Sequence, residues 1–283
     1  MFDRKEAFHD LGRLVYGLAG IALGVIGLVW RDFAAVWQPI ENLGAVTHRE
    51  ALACVFAVGL LSAGAAAMWR RTARAGLLAL AALHFISALG WVPRVIGYPG
   101  IYGTWNGFFE QLSLVAAGIV GYASLAPRTS AWTTRTGQIG CLLYGISAVS
   151  FGVGHFTAIA ETAGMVPTWI PPGQQFWAWA TGAFHLLAGI AISTGLQAAL
   201  ASRLLTAMML GFGAFVWAPA LFAKPGDHIT WAGNAINLAL AGAAWVIADS
   251  ISRRRNQNRS ETGRRSADAA GHARQHGEPA GQE

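Results

Sequence analysis

Seven side chains stand out chemically in stretches that are otherwise almost free of charge: His84, Glu110, His155, Glu161, His185, Asn234 and Asn237. Imidazoles on separate helices can hold haem, relay protons or hydrogen-bond a quinone carbonyl. They can also stay neutral and bond across helices to a carbonyl or hydroxyl. For His84 alone the structural role is the simpler reading, whereas His155 with His185 fits a ligand as well as it fits packing. No two histidines lie at i, i+4 on one helix, so a metal centre is not expected. Glu110, with Gln111 beside it, falls five residues after Trp105. There it could snorkel to water or be held protonated in a polar pocket. Asn234 and Asn237 share a helix face and read first as hydrogen-bonding glue between helices. No phosphate loop, nucleotide fingerprint, CxxC pair or nucleophile elbow is present, so no enzymatic activity can be read from motifs.

The elements that must position these residues are transmembrane helices. The chain is 54% hydrophobic and only 12% charged, too little charge to dress a water-facing surface. Its charges punctuate apolar runs of roughly 17 to 25 residues, the length that crosses a bilayer core. Eight spans follow from these bookends: Arg13 to Arg31, Glu50 to Arg70, Arg74 to Arg94, Trp105 to Arg128, Arg135 to Glu161, Gln174 to Ala199, Leu204 to Phe222 and Thr230 to Ile251. With strict alternation, 16 of the 20 Lys and Arg residues lie on the side of the N-terminus. The positive-inside rule then places both termini in the cytoplasm, as in an inner-membrane protein with the lipid bilayer as its main partner. Tryptophans gather at the opposite rim, among them Trp30, Trp91, Trp105, Trp177, Trp217 and Trp231. The net charge of +6 sits on helix flanks and the tail and not on one face, so nucleic acid is not an expected partner. Cys54 and Cys141 fall towards opposite sides, which excludes a disulfide framework.

Internal repetition organises the spans. Gly12 to Gly24 aligns with Gly140 to Gly152 at an offset of 128, and Pro39 with Pro167 at the same offset. Trp91-Val-Pro93 aligns with Trp217-Ala-Pro219, and Trp105, Gly107 and Leu112 align with Trp231, Gly233 and Leu238, at an offset of 126. The expected fold is therefore an all-α transmembrane bundle of two parallel four-helix repeats, residues 1–125 and 138–251, joined by a cytoplasmic linker, residues 126–137. Residues 252–283 are polar and arginine-rich, and are expected to form a disordered cytoplasmic tail.

Within the second repeat, Gly152 to Ile192 resembles the DoxX-like membrane proteins. His155 and Phe156 match a GxxHF segment, Val166, Pro167, Trp169 and Pro171 match a VPxWxP loop, and Gly182 with His185 match the following helix, where many relatives carry Glu. The likeness covers residues 138 to 250 well and the first half only as a diverged copy. It implies four-helix units and a link to quinone-linked oxidoreductases, hence a quinone as a candidate cofactor, beside the haem that the histidines alone leave open, and a membrane or periplasmic redox protein as partner. On this reading His155, His185 and Glu110 form a polar site open towards the outer leaflet of an accessory or quinone-facing subunit. A small-molecule carrier or permease is the alternative, suggested by the paired repeats, and a structural or assembly protein without a ligand is the third.

Overall fold

In lipid an apolar run can satisfy its own backbone only as a helix or within a closed barrel. The computed structural model describes residues 10–34, 47–126 and 131–276, and among these it is helical with no strand. Pro39 and Arg128 lie outside the described residues. In chain order the elements are α1 (Leu11–Trp30), α2 (Arg49–Met68), α3 (Ala73–Gly97), α4 (Tyr102–Ser124), α5 (Ala131–Thr157), α6 (Ile159–Met165), α7 (Gln174–Thr194) and α8 (Ala198–Phe212). A π turn (Gly213–Trp217), α9 (Ala218–Ala223) and α10 (His228–His276) complete the chain. Seven helical stretches are long and apolar enough to cross a membrane, as a multi-pass membrane protein requires. The long helix outside that set is α4, whose 23 residues include Asn106, Glu110 and Gln111.

Large apolar side chains such as Val55, Ile96 and Leu187 point outward, while His84, Gln111 and His185 are buried. This inversion of the usual soluble pattern suits a lipid surround. Small residues bring the helices together. Gly17 on α1 lies against the Gly64 carbonyl of α2, and Gly145 on α5 against the Gly189 carbonyl of α7. The first four helices and the rest form one body, because α1 packs on α10 and α4 packs on both α5 and α10.

Polar contacts define the two ends of the bundle. At one end the buried Arg13 guanidinium donates to the Ala67 and Met68 carbonyls that close α2, and it pairs with Asp10 at 3.1 Å. The Gly12 backbone N–H donates to Asp249 Oδ2 at 3.3 Å, so the start of α1 and residue 249 of α10 share that end. At the other end Arg31 pairs with Glu50 at 2.9 Å, Arg49 pairs with Asp32 at 2.8 Å, and Trp30 stacks on His228 at 5.2 Å. Asp227 caps α10 there by accepting from the Thr230 N–H at 2.9 Å, and the Thr230 hydrogen bonds hold its carboxyl below the usual range. The indoles of Trp105, Trp177 and Trp231 each donate to the carbonyl of a proline six residues earlier, at 3.1, 3.0 and 2.8 Å. That hydrogen bond ties each loop to the helix it precedes.

Five expectations are corrected. The tail does not lose structure at Ser252: α10 runs on to His276. A membrane helix supplies the nucleus that an isolated segment lacks, and the Ala, Arg, Gln and Glu residues there are good helix formers. The fifth span ends at Thr157 and not at Glu161, which lies in α6. The Thr157 hydroxyl bonds the Val153 and Gly154 carbonyls, a local alternative to the helical ladder. The sixth span stops at Thr194, where Gly195 takes a left-handed cap (φ 81°), so α8 starts at Ala198. The seventh is interrupted by the π turn just before Pro219, whose ring has no N–H for the ladder. The linker is also shorter than expected, since α5 already begins at Ala131.

Candidate functional site

A cavity of about 460 Å³ opens between the two groups of helices. α4 contributes Asn106 and Glu110, α5 contributes Phe151 and His155, and α7 contributes Thr181 and His185. Trp91 of α3, Trp217 of the π turn and Asn237 of α10 close it from the remaining sides. Asn106 and Glu110 lie four residues apart, so α4 presents both on one face. The wall is mostly apolar with a few convergent polar groups, the usual make-up of a small-molecule site.

Glycines seat these side chains. A Cβ on Gly107 would overlap the Trp91 ring, and one on Gly233 would overlap the Trp217 ring. A Cβ on Gly154 would run into the Asn106 amide, and one on Gly182 would meet the His155 Cβ at 2.8 Å. The residues of the site are thus positioned by packing against bare backbone, which leaves them little room to move.

The hydrogen bonds divide the polar groups into two sets. In the first, His84 Nδ1 and Gln111 Oε1 lie 2.9 Å apart, and Gln111 Nε2 donates to Glu110 Oε1 at 3.1 Å. The amide N–H2 faces the carboxyl, so the amide oxygen must accept, which puts the His84 proton on Nδ1. His84 itself does not line the cavity; it acts on Glu110 through Gln111. His155 is likewise engaged, its Nδ1 donating to the Phe151 carbonyl at 2.8 Å. In the second set, three residues that line the cavity each carry one buried side-chain atom with no protein hydrogen-bond partner among the described residues: Trp91 Nε1, Asn106 Oδ1 and His185 Nδ1. One is a donor, one an acceptor, and the third either. The His155 and His185 rings lie 5.1 Å apart between centroids, and Phe151 meets His185 edge-on at 5.6 Å.

Of the seven residues singled out from the sequence, Glu110, His155, His185 and Asn237 line this one cavity. Asn234 does not: its amide donates to the Trp217 carbonyl at 2.8 Å and to Thr230 at 3.0 Å, holding the π turn. Asn237 donates to the Met209 carbonyl at 3.1 Å, on the other flank of that turn. Glu161 is exposed on α6. No group of three or more His, Cys, Asp or Glu suited to a metal ion occurs among the described residues. Sequence reasoning passed over Asn106, although its i, i+4 relation to Glu110 was a visible signal. It read Trp91 and Trp217 as repeat markers and interface residues, not as cavity walls. No family model, curated protein or solved structure matches the chain.

Proposed function

We propose that this is an eight-span inner-membrane protein of DoxX-like type, built from two parallel four-helix repeats, that binds a quinone-class ligand in the cavity as a quinone-facing subunit of a membrane redox system. The repeat accounts for the matching glycine contacts at Gly17–Gly64 and Gly145–Gly189 and for the matching Trp–Gly contacts at Trp91–Gly107 and Trp217–Gly233. An eighth crossing by α4 accounts for the meeting of Gly12 with Asp249, since seven crossings would leave those residues on opposite faces. A cytoplasmic position for the arginine-rich end follows from the charge asymmetry.

The ligand reading is carried by one observation: Trp91 Nε1, Asn106 Oδ1 and His185 Nδ1 are buried and unpartnered by protein, and all three belong to residues that line one cavity. Buried polar atoms are nearly always paired, so three around a single space mark a place where a bound molecule supplies the partners. A flat ring bearing oxygens can accept from the indole and the imidazole, and its hydroxyl form can donate to the Asn106 carbonyl oxygen. Aromatic walls at Trp91, Phe151 and Trp217 suit such a ring. Titration of the purified protein with decylubiquinone, followed by intrinsic tryptophan fluorescence, tests this. Saturable quenching that weakens about tenfold or more in His185→Leu is expected, as for loss of one buried hydrogen bond. Quenching that never saturates, or is the same in the variant, would remove the reading.

A carrier is the second reading, favoured by the π turn. An interrupted helix beside a cavity, held by Asn234 and Asn237, is a feature on which alternating access can turn.

A further inference from the structure

On the same side of the molecule a second space, about 360 Å³, lies between α7 and α8. Trp177, Ala180, Phe184, Leu204 and Met208 line it, together with Thr181. Its only polar side chains are turned away from it. The Thr181 hydroxyl donates back to the Trp177 carbonyl at 2.7 Å, and the Trp177 indole is held on the Pro171 carbonyl. Trp177 and Leu204 are 36% and 46% exposed, so the groove faces the bundle's surroundings, which for this stretch means lipid. Thr181 is also a wall of the central cavity, so the polar-headed chamber and the apolar groove share a residue.

We infer that the ligand is an amphiphile with a small hydrogen-bonding head and a single apolar chain: the head sits in the central cavity and the chain passes Thr181 to lie in the α7–α8 groove, reaching the site from the membrane. The inference deepens the proposed ligand site and rests on it. Three observations meet in it. Three residues of the head chamber carry an unpartnered buried polar atom, the residues of the groove carry none, and the two spaces share Thr181. A water-soluble substrate would have no use for the groove, because apolar surface gains free energy only by covering apolar surface.

Two quinones with the same head, ubiquinone-0 and decylubiquinone, separate head from tail. In one detergent, wild type should bind the ten-carbon form at least about tenfold more tightly, since each buried methylene contributes favourably. Ala180→Phe, which fills the groove without lining the central cavity, should erase most of that ratio and leave ubiquinone-0 binding unchanged. An equal ratio in the variant would overturn the inference while leaving the head site standing. Absence of binding by either quinone would instead count against the quinone reading. Photolabelling with a diazirine-bearing fatty acid then judges the groove alone: crosslinks concentrated on Leu204 and Met208 support it, and crosslinks spread evenly around the bundle contradict it.

Discussion

The first four long helices and the elements from α5 onward share a skeleton but not a chemistry. Gly17 and Gly64 hold α1 on α2 as Gly145 and Gly189 hold α5 on α7, and Trp91 rests on Gly107 as Trp217 rests on Gly233. Trp105 and Trp231 both donate to a preceding proline carbonyl. The polar residues follow no such rule. At offsets of 126 and 128, His84 corresponds to Leu210, Asn106 to Ala232, Glu110 to Ile236 and His155 to Gly27, and at the offset of 125 that relates Gly64 to Gly189, His185 corresponds to Leu60. Among the residues of the site and of the His84–Gln111–Glu110 chain, only Gln111 has a polar counterpart, Asn237. Ionisable groups inside a membrane are costly, so each half carries them only where its surface meets the other half and a cavity repays them. Packing is duplicated, and the site is assembled once.

Replacing Gly64 or Gly189 by Leu would attack the shared skeleton and should have the largest effect. In each case the new side chain meets the backbone of the facing helix, Gly17 O at 2.5 Å or Gly145 O at 2.6 Å, and backbone cannot swing aside. Overpacking of this kind costs about 3 kcal/mol or more. Both variants should lose thermal stability in detergent by similar amounts. A large loss in one and none in the other would break the equivalence of the halves.

The difference between the halves is sharpened by His84, which has no polar counterpart. His84→Leu removes the donor to Gln111 Oε1 in a fully buried place and should cost about 1 to 3 kcal/mol. His84→Asn keeps an N–H near the position of Nδ1 and should recover most of that stability, together with any ligand affinity that depends on Glu110. Equal behaviour of the two variants would show that the ring acts by bulk and not through its Nδ1 proton. The corresponding Leu210→Asn should gain nothing, since its position is 42% exposed to the surroundings.

Much of the fold was legible because its signals are periodic or additive. Apolar length marked the helices, and the aligned glycines Gly17 and Gly145 both meet a glycine carbonyl of a facing helix. The ends were less legible. The extra helix at Ile159–Met165 and the π turn depend on local bonds from Thr157 and Asn234 that leave no mark in hydropathy. The tail was misread because composition says nothing of a helix already nucleated upstream. For the site, sequence supplied Glu110, His155 and His185 but not their convergence. Which helices face one another is decided by glycine contacts such as Gly154 with Asn106, between residues far apart in the chain.

Everything in the comparison depends on α4 crossing the membrane despite Asn106, Glu110 and Gln111, for only then do the halves match and the cavity close. The most direct measurement is the sidedness of its two ends. In a Cys54→Ala, Cys141→Ala background, Gly100→Cys and Ala126→Cys are exposed in intact cells to a maleimide that cannot cross the membrane. A Cβ at Gly100 meets nothing within 4 Å, so that substitution is mild. Labelling at position 100 with protection at 126 is the predicted result; equal labelling, or equal protection, of both positions would contradict the account.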